Sequence, residues 1–493
     1  MRVPAGSKIV KIGGGCMSEY THPSPYLKGN FAPVSMEVTA EDLPVEGEIP
    51  SGLAGTLFRN GANPMYAPLT DDHHWFLAEG MIHAIKFANG RVSYRNRWVR
   101  TSQYSAQRQA GHRLFATGLV DPSLPEAAGL SPHYAATHAL VHGGKLLALD
   151  EWYGPSALDP ETLDTIIPED DFGGVHKGAF TAHPKVDPDT GEMFGFGYQA
   201  DGMGSKVVSY TVVDKTGKVT RHDRFTVPYC GIMHDFAITK EHVIFPLFPA
   251  DLDLERYAAG GPLGGYNPEL PTMFGIMPRN GSVDEMRWFK GPPTYAFHTL
   301  NSYTEYRDGR PFVVVDMMKM DALPLFPRVD TGETPIWLRD VAGALVRWTF
   351  DLEGNEDGYK EEAITDLTGD FCICDERFVG KPYSVGFYAG RSRPFDAREY
   401  FDTIAHINVQ TKERRDYVPG EGISVLEPIF VPRSATAPEG DGWLLTVAYD
   451  SADETSRVLI LDTADIRKGP VARIALPQRV PFGFHGSWYP AHG

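Results

Sequence analysis

The chain has 493 residues, a formal net charge of -18 from 46 basic and 64 acidic side chains, and four cysteines. A phosphate-binding face needs concentrated Lys and Arg, so this balance argues against nucleic acid as a partner. So few cysteines exclude a disulfide scaffold of this size and fit a reducing, cytoplasmic setting.

The 51 glycines, 39 prolines and 12% aromatic residues describe a β-rich chain. Residues 1–20 hold Lys8 and Lys11 inside their only apolar stretch and so lack the core of a secretory signal. They are read as a disordered tail, with Met17 a candidate start, ahead of a single catalytic domain over 21–493. Tight reversals are expected at Asn89-Gly90, Thr216-Gly217, Asp308-Gly309 and Glu353-Gly354. Leu114 to Val120, continuing to Leu130, is moderately apolar and broken by Asp121 and Glu126. It reads as a surface lid first, and as a docking loop for peripheral membrane contact second. The best helical pattern runs from Trp337 to Val346. Cys372 and Cys374 share one face of an expected strand, which points to packing. Trp443 to Tyr449 and Arg457 to Leu461 read as adjacent strands. No stretch reaches the roughly 18 apolar residues of a membrane span. Many short antiparallel strands without a linker suit radial blades around an axis.

Four histidines sit in similar short settings: Thr181-Ala182-His183-Pro184, Met233-His234-Asp235-Phe236, Ala296-Phe297-His298-Thr299 and Phe484-His485-Gly486-Ser487-Trp488. None forms a local chelate, so a shared site has to be assembled by the fold. Taken singly, each of the 17 histidines is best read as an ordinary hydrogen-bonded imidazole. As a set, these four point to one all-histidine metal centre.

With the further segments Leu57-Phe58-Arg59-Asn60-Gly61, Gly80-Met81-Ile82-His83-Ala84 and Glu427-Pro428-Ile429-Phe430-Val431-Pro432-Arg433, the chain resembles the carotenoid cleavage oxygenases from about Pro33 to Trp488. The resemblance implies an all-β, seven-bladed β-propeller with a loop and helical cap over an axial metal site. It implies Fe(II) held by His183, His234, His298 and His485, with positions left free for O2. It further implies carboxylates that accept the second N–H of ligating rings. Glu151 and Glu427 match two of these. At the third the family has Glu and this chain has Asp370, one methylene shorter, which reaches a ligand only through water or a shifted backbone. Thr137 matches a position whose side chain approaches an open iron site.

The implied activity is that of an Fe(II)-dependent dioxygenase that cleaves a C=C bond with O2 into two carbonyl products. That cleavage releases four electrons, the number O2 takes up, so no nicotinamide, flavin or haem is required. The sequence carries neither a Gly-x-Gly-x-x-Gly turn nor a Walker loop. For the substrate, a small apolar or aromatic alkene, the stilbene and phenylpropanoid branch implies a Tyr and a Lys on a phenol and a Phe over its ring. Phe76 fits the Phe position, but Asp150 stands in the Lys slot and the Tyr slot falls near Gly118. Asp150 would repel a phenolate, which favours a carotenoid or apocarotenoid in a tunnel lined by Tyr104, Phe115 and Trp152, with a stilbene or hydroxystyrene as the alternative. A non-catalytic ligand-binding propeller predicts broken ligands, a calcium-dependent hydrolase needs oxygen ligands, and a Lewis-acid isomerase consumes no O2.

Overall fold

Short runs of β-branched and aromatic residues, alternately buried and exposed, favour pleated strands over helices. The computed structural model describes residues 24–69, 71, 73–116, 123–176, 178–335, 343–393 and 400–491, with the backbone of Ile9–Ile12. Their strands form seven antiparallel sheets of four to six strands and one two-stranded ribbon, the blades of a seven-bladed β-propeller. Among the described residues the α-helices are short, Ser102–Ala110 and Leu254–Ala258.

The Cα positions divide the chain into two compact units. The first comprises Met1–Lys177, Pro419–Ala437 and Gly442–Gly493. Its N-terminal sheet runs in the order Ile9–Ile12, Glu37–Ala40, Arg91–Trp98, Gly80–Ala88, Gly55–Ala62 and Gly486–Pro490. The last of these comes from the far end of the chain and pairs Gly486 with Arg59 and Pro490 with Gly55. In the same unit Val45–Gly47 pairs with Pro470–Ala475. Each terminal segment thereby covers a strand edge that would otherwise expose unpaired backbone groups. The approach at Gly486 is so close that a Cβ there would fall 2.0 Å from the Phe58 carbonyl oxygen.

The second unit comprises Gly178–Val418 and Pro438–Asp441. Its four-stranded sheets open with Lys185–Val186, Ala237–Ile238, Tyr295–Arg307 and Gly369–Cys374. Their facing sides are filled by large side chains such as Trp348, Phe274 and Phe350, all fully buried. A buried Phe of this kind contributes about 1.5–3 kcal/mol relative to an exposed one.

Asn89-Gly90 and Asp308-Gly309 make tight reversals, with φ of 53° and 71° at the first and 51° and 81° at the second, as a two-residue hairpin turn requires. The Asp214 carboxylate accepts the N–H groups of Thr216 and Lys218 around the third. The reversal at Glu353-Gly354 is wider, spanning 352–359. The Arg287 guanidinium occupies it, donating to the carbonyls of Leu352, Gly354 and Glu356.

The expected helix from Trp337 to Val346 is not there in its described part. Ala344–Asp351 is a strand in which Val346, Trp348 and Phe350 are buried and Arg347 and Thr349 half-buried. This period of two outweighs the helical pattern; residues 336–342 lie outside the described residues. Ile9–Ile12, inside the expected disordered tail, pair with Glu37–Ala40, and the rest of that tail lies outside the described residues. So do Gly118 and the centre of the expected lid. Leu114 and Phe115 at its start are packed with Ala127, whereas Leu130 is exposed. Cys372 and Cys374 are buried together in one core cluster, as expected. No described helix is long and apolar enough to cross a membrane.

Candidate metal centre

In the second unit the three histidines lie at the start of successive sheets. His183 comes two residues before Lys185–Val186, His234 three before Ala237–Ile238, and His298 lies inside Tyr295–Arg307. The pairing of that last strand shifts register on both sides of Thr299, which re-aims the side chain of its neighbour. His183 Nε2 lies 3.0 Å from His234 Nε2, which lies 3.1 Å from His298 Nε2. His183 and His298 are buried and His234 half-buried.

His298 Nδ1 donates to Asp370 Oδ1 at 2.7 Å. An ionised carboxylate only accepts, so His298 Nε2 carries a lone pair. Lone pairs converging at this separation repel one another without a shared proton or a cation. A divalent first-row ion about 2.1 Å from each nitrogen, with ligands at right angles, places adjacent nitrogens about 3 Å apart. The donor set therefore fits such an ion.

Asp370 reaches its ring directly, without water. The backbone supplies the missing length: the strand Gly369–Cys374 shifts register between Asp370 and Ile373, and Phe371 adopts a φ of 53°. This is a β-bulge with its middle residue in the left-handed region. Asp370 is fully buried, and its Oδ2 has no hydrogen-bond partner.

In the first unit His485 precedes the closing strand Gly486–Pro490. Its Nδ1 donates to Glu427 Oε1 at 2.7 Å, and its backbone N–H donates to the Thr137 carbonyl at 3.0 Å. Glu427 Oε2 accepts from Arg59 Nη1 at 2.6 Å and from the Gly486 N–H at 3.0 Å. Arg59 also donates to the Phe484 carbonyl. Burial lowers the Arg59 pKa, and Glu427 opposes that shift. His485 thus offers one carboxylate-backed imidazole in the first unit, as His298 does in the second. The oxygen-rich set of a calcium site is not what these residues offer.

Of the other expected residues, Thr137 is half-buried beside His485, and half-buried Phe76 packs edge-on against Phe484 at 5.4 Å. Glu151 is half-buried just beyond the strand Lys145–Leu149. Asp150 serves the local turn, where its Oδ1 accepts the N–H groups of Trp152 and Tyr153, and its Oδ2 that of Ala135. Tyr104 and Phe115 are buried, and Trp152 is 44% exposed. Arg59 went unnoticed as a partner of Glu427. Its signal was a lone cation inside Gly55–Ala62, a strand buried at every position.

The family model described as retinal pigment epithelial membrane protein matches residues 31–490. The isoeugenol monooxygenase of Pseudomonas nitroreducens is 36% identical over 484 residues, covering 96% of this chain and all of the relative. A carotenoid cleavage oxygenase of Mycobacterium tuberculosis is 31% identical, covering 95% of this chain and 98% of that protein. The crystal structure of the Pseudomonas brassicacearum lignostilbene dioxygenase superposes with a TM-score of 0.90 at 36% identity, covering 96% of this chain and all of that one. The chain belongs to the carotenoid cleavage oxygenase family, that of the retinal pigment epithelial membrane protein, and is an alkene-cleaving oxygenase.

Proposed function

We propose that the chain is an Fe(II)-dependent dioxygenase whose iron is held by His183, His234, His298 and His485, and whose substrate is an aromatic alkene of the phenylpropanoid or stilbene type. The observation that carries the metal assignment is the convergence of imidazole nitrogens about 3 Å apart, with carboxylates behind His298 and His485. Four neutral ligands leave the ion its full charge, which suits it to binding O2 beside an alkene.

This chain's own residues do the positioning. Asp370 and Glu427 fix the tautomer and plane of their rings. The family resemblance assigns Glu151 the same role and brings the Thr137 side chain towards the metal. Phe76, against Phe484 and Trp75, offers an aromatic face to a flat substrate near His485.

The substrate reading rests on the named activities of the isoeugenol and lignostilbene relatives, each 36% identical, against 31% for the carotenoid relative. It reverses the preference drawn from Asp150. That carboxylate is 7% exposed and engaged by three backbone N–H groups, so its charge says little about the substrate. The test is competition: iron-loaded protein in air receives an apocarotenal and a hydroxystilbene together, with products read by mass spectrometry. Aromatic aldehydes support this reading; polyene aldehydes alone return the substrate to the carotenoids.

A further inference from the structure

Each histidine segment of the second unit carries, within two residues of its histidine, a charged side chain or a backbone N–H, and these groups meet on one carboxylate. Asp235, next to His234, is 3% exposed. Its Oδ1 accepts from Lys185 Nζ at 2.7 Å, two residues after His183, and from the Phe236 N–H at 2.7 Å. Its Oδ2 accepts the N–H of Thr299, next to His298, at 2.8 Å. The Lys185 side chain is 19% exposed, so its ammonium is largely withdrawn from water.

Charge burial of this kind is tolerated only when the carboxylate's lone pairs are filled. Here they are filled from three chain segments that have nothing else in common than bearing an imidazole. The strand pairing does not join these segments to one another, because each opens a different sheet. Ser302 Oγ donates to the Ile238 carbonyl further along two of the segments, and His298 is tied to Asp370; Asp235 is the group that takes hydrogen bonds from all three next to their imidazoles.

We propose that Lys185 and Asp235 are positioning residues that hold the His183, His234 and His298 segments in their converged arrangement before an ion binds. Asp235 joins the three segments, and Lys185 holds its carboxylate in place. A metal then meets ligands already gathered, and its departure does not scatter them. The inference rests on the metal assignment above for its consequence, but the clamp itself exists in metal-free protein.

The experiment uses the full chain in four forms: wild type, Lys185→Met, Lys185→Arg and Arg347→Lys. The last alters an equally buried ion pair in the same unit, Arg347 with Asp316, and controls for general loosening. In metal-free protein, hydrogen exchange at the Phe236 and Thr299 amides, read by peptide mass spectrometry, is expected to quicken about tenfold or more in Lys185→Met. Lys185→Arg should restore it and Arg347→Lys should leave it unchanged. In Co(II)-loaded protein, loss of metal to a chelator is expected to be about tenfold faster in Lys185→Met alone, the scale of losing a ligand's supporting group. Unchanged exchange at both amides in Lys185→Met overturns the inference, as does an equal change in Arg347→Lys. If Lys185→Met does not fold, Asp235→Asn, whose single side-chain oxygen can accept only one of the two amides, is expected to give the same two changes; its failure to do so overturns the inference too. A wild type that binds no metal, with the exchange changes still seen in Lys185→Met, refutes the metal assignment while the clamp stands.

Discussion

His298 and His485 are held by carboxylates at the same distance, 2.7 Å, but the two carboxylates are built differently. Glu427 extends from its chain and spends its second oxygen on Arg59 and the Gly486 N–H. Asp370 is shorter, reaches its ring because the backbone bulges at Phe371, and leaves its second oxygen buried and unpaired. Glu427 thus has a permanent counter-charge of its own. For Asp370 the compensating charge has to come through His298, from whatever cation that ring holds. The same chemical need is met once by side-chain length and once by backbone geometry, and the second solution depends more on the metal.

The largest expected break in this picture is His234→Ala. Its ring nitrogen is within hydrogen-bond distance of both its neighbours, so its removal opens the middle of the cluster. Metal content by elemental analysis is expected to fall to background and turnover by more than about 100-fold. Arg59→Met comes next and acts on the Glu427 side alone. Removing one member of a buried ion pair costs about 3–5 kcal/mol, here read as a lower denaturant midpoint in metal-free and loaded protein alike. Asp370→Asn sharpens the other side. It keeps an acceptor for the ring but removes the charge, so metal affinity is expected to fall roughly tenfold by competition with a chelator. Metal-free stability should hold or rise, because a buried unpaired oxygen is no longer charged.

Much of this was legible in the sequence. The four histidines were singled out by their settings, and Asp370 by its place in the family pattern, with a shifted backbone named as one way for it to reach. The left-handed pairs at Asn89-Gly90 and Asp308-Gly309 announced their turns. What stayed hidden were contacts between residues distant in sequence. Lys185 and Asp235 look like ordinary surface charges until the fold brings them to 2.7 Å. Asp150 was misread for a related reason: its slot in the family pattern was visible, but not the N–H groups that occupy it, two from the local turn and one from Ala135, fifteen residues away. The helix expected from Trp337 to Val346 failed over Ala344 to Val346, where tertiary burial imposes a strand on residues that suit either state.

The smallest expected effect on the metal centre concerns His83, which lies across the strand pair from Arg59. Burial, and then the nearby Arg59 and Arg479, lower its pKa from 6.5 to about 3. The unfolded chain therefore takes up a proton near pH 6.5 that the folded chain refuses, so stability falls as pH drops from about 6.5 towards 3. Between pH 7 and 5 the loss from this group is about 2 kcal/mol. His83→Gln is expected to flatten that part of the urea-midpoint profile by the same amount. An unaltered slope would show that the folded ring takes up its proton over the same pH range as the unfolded one.

The central claim is that four imidazoles hold one iron, and X-ray absorption at the iron edge on anaerobically loaded protein tests it most directly. The account predicts one iron per chain with nitrogen neighbours at about 2.1 Å, imidazole scattering beyond them, and loss of the signal in His234→Ala. A loaded protein with no imidazole scattering, or a signal that persists unchanged in His234→Ala, would contradict it.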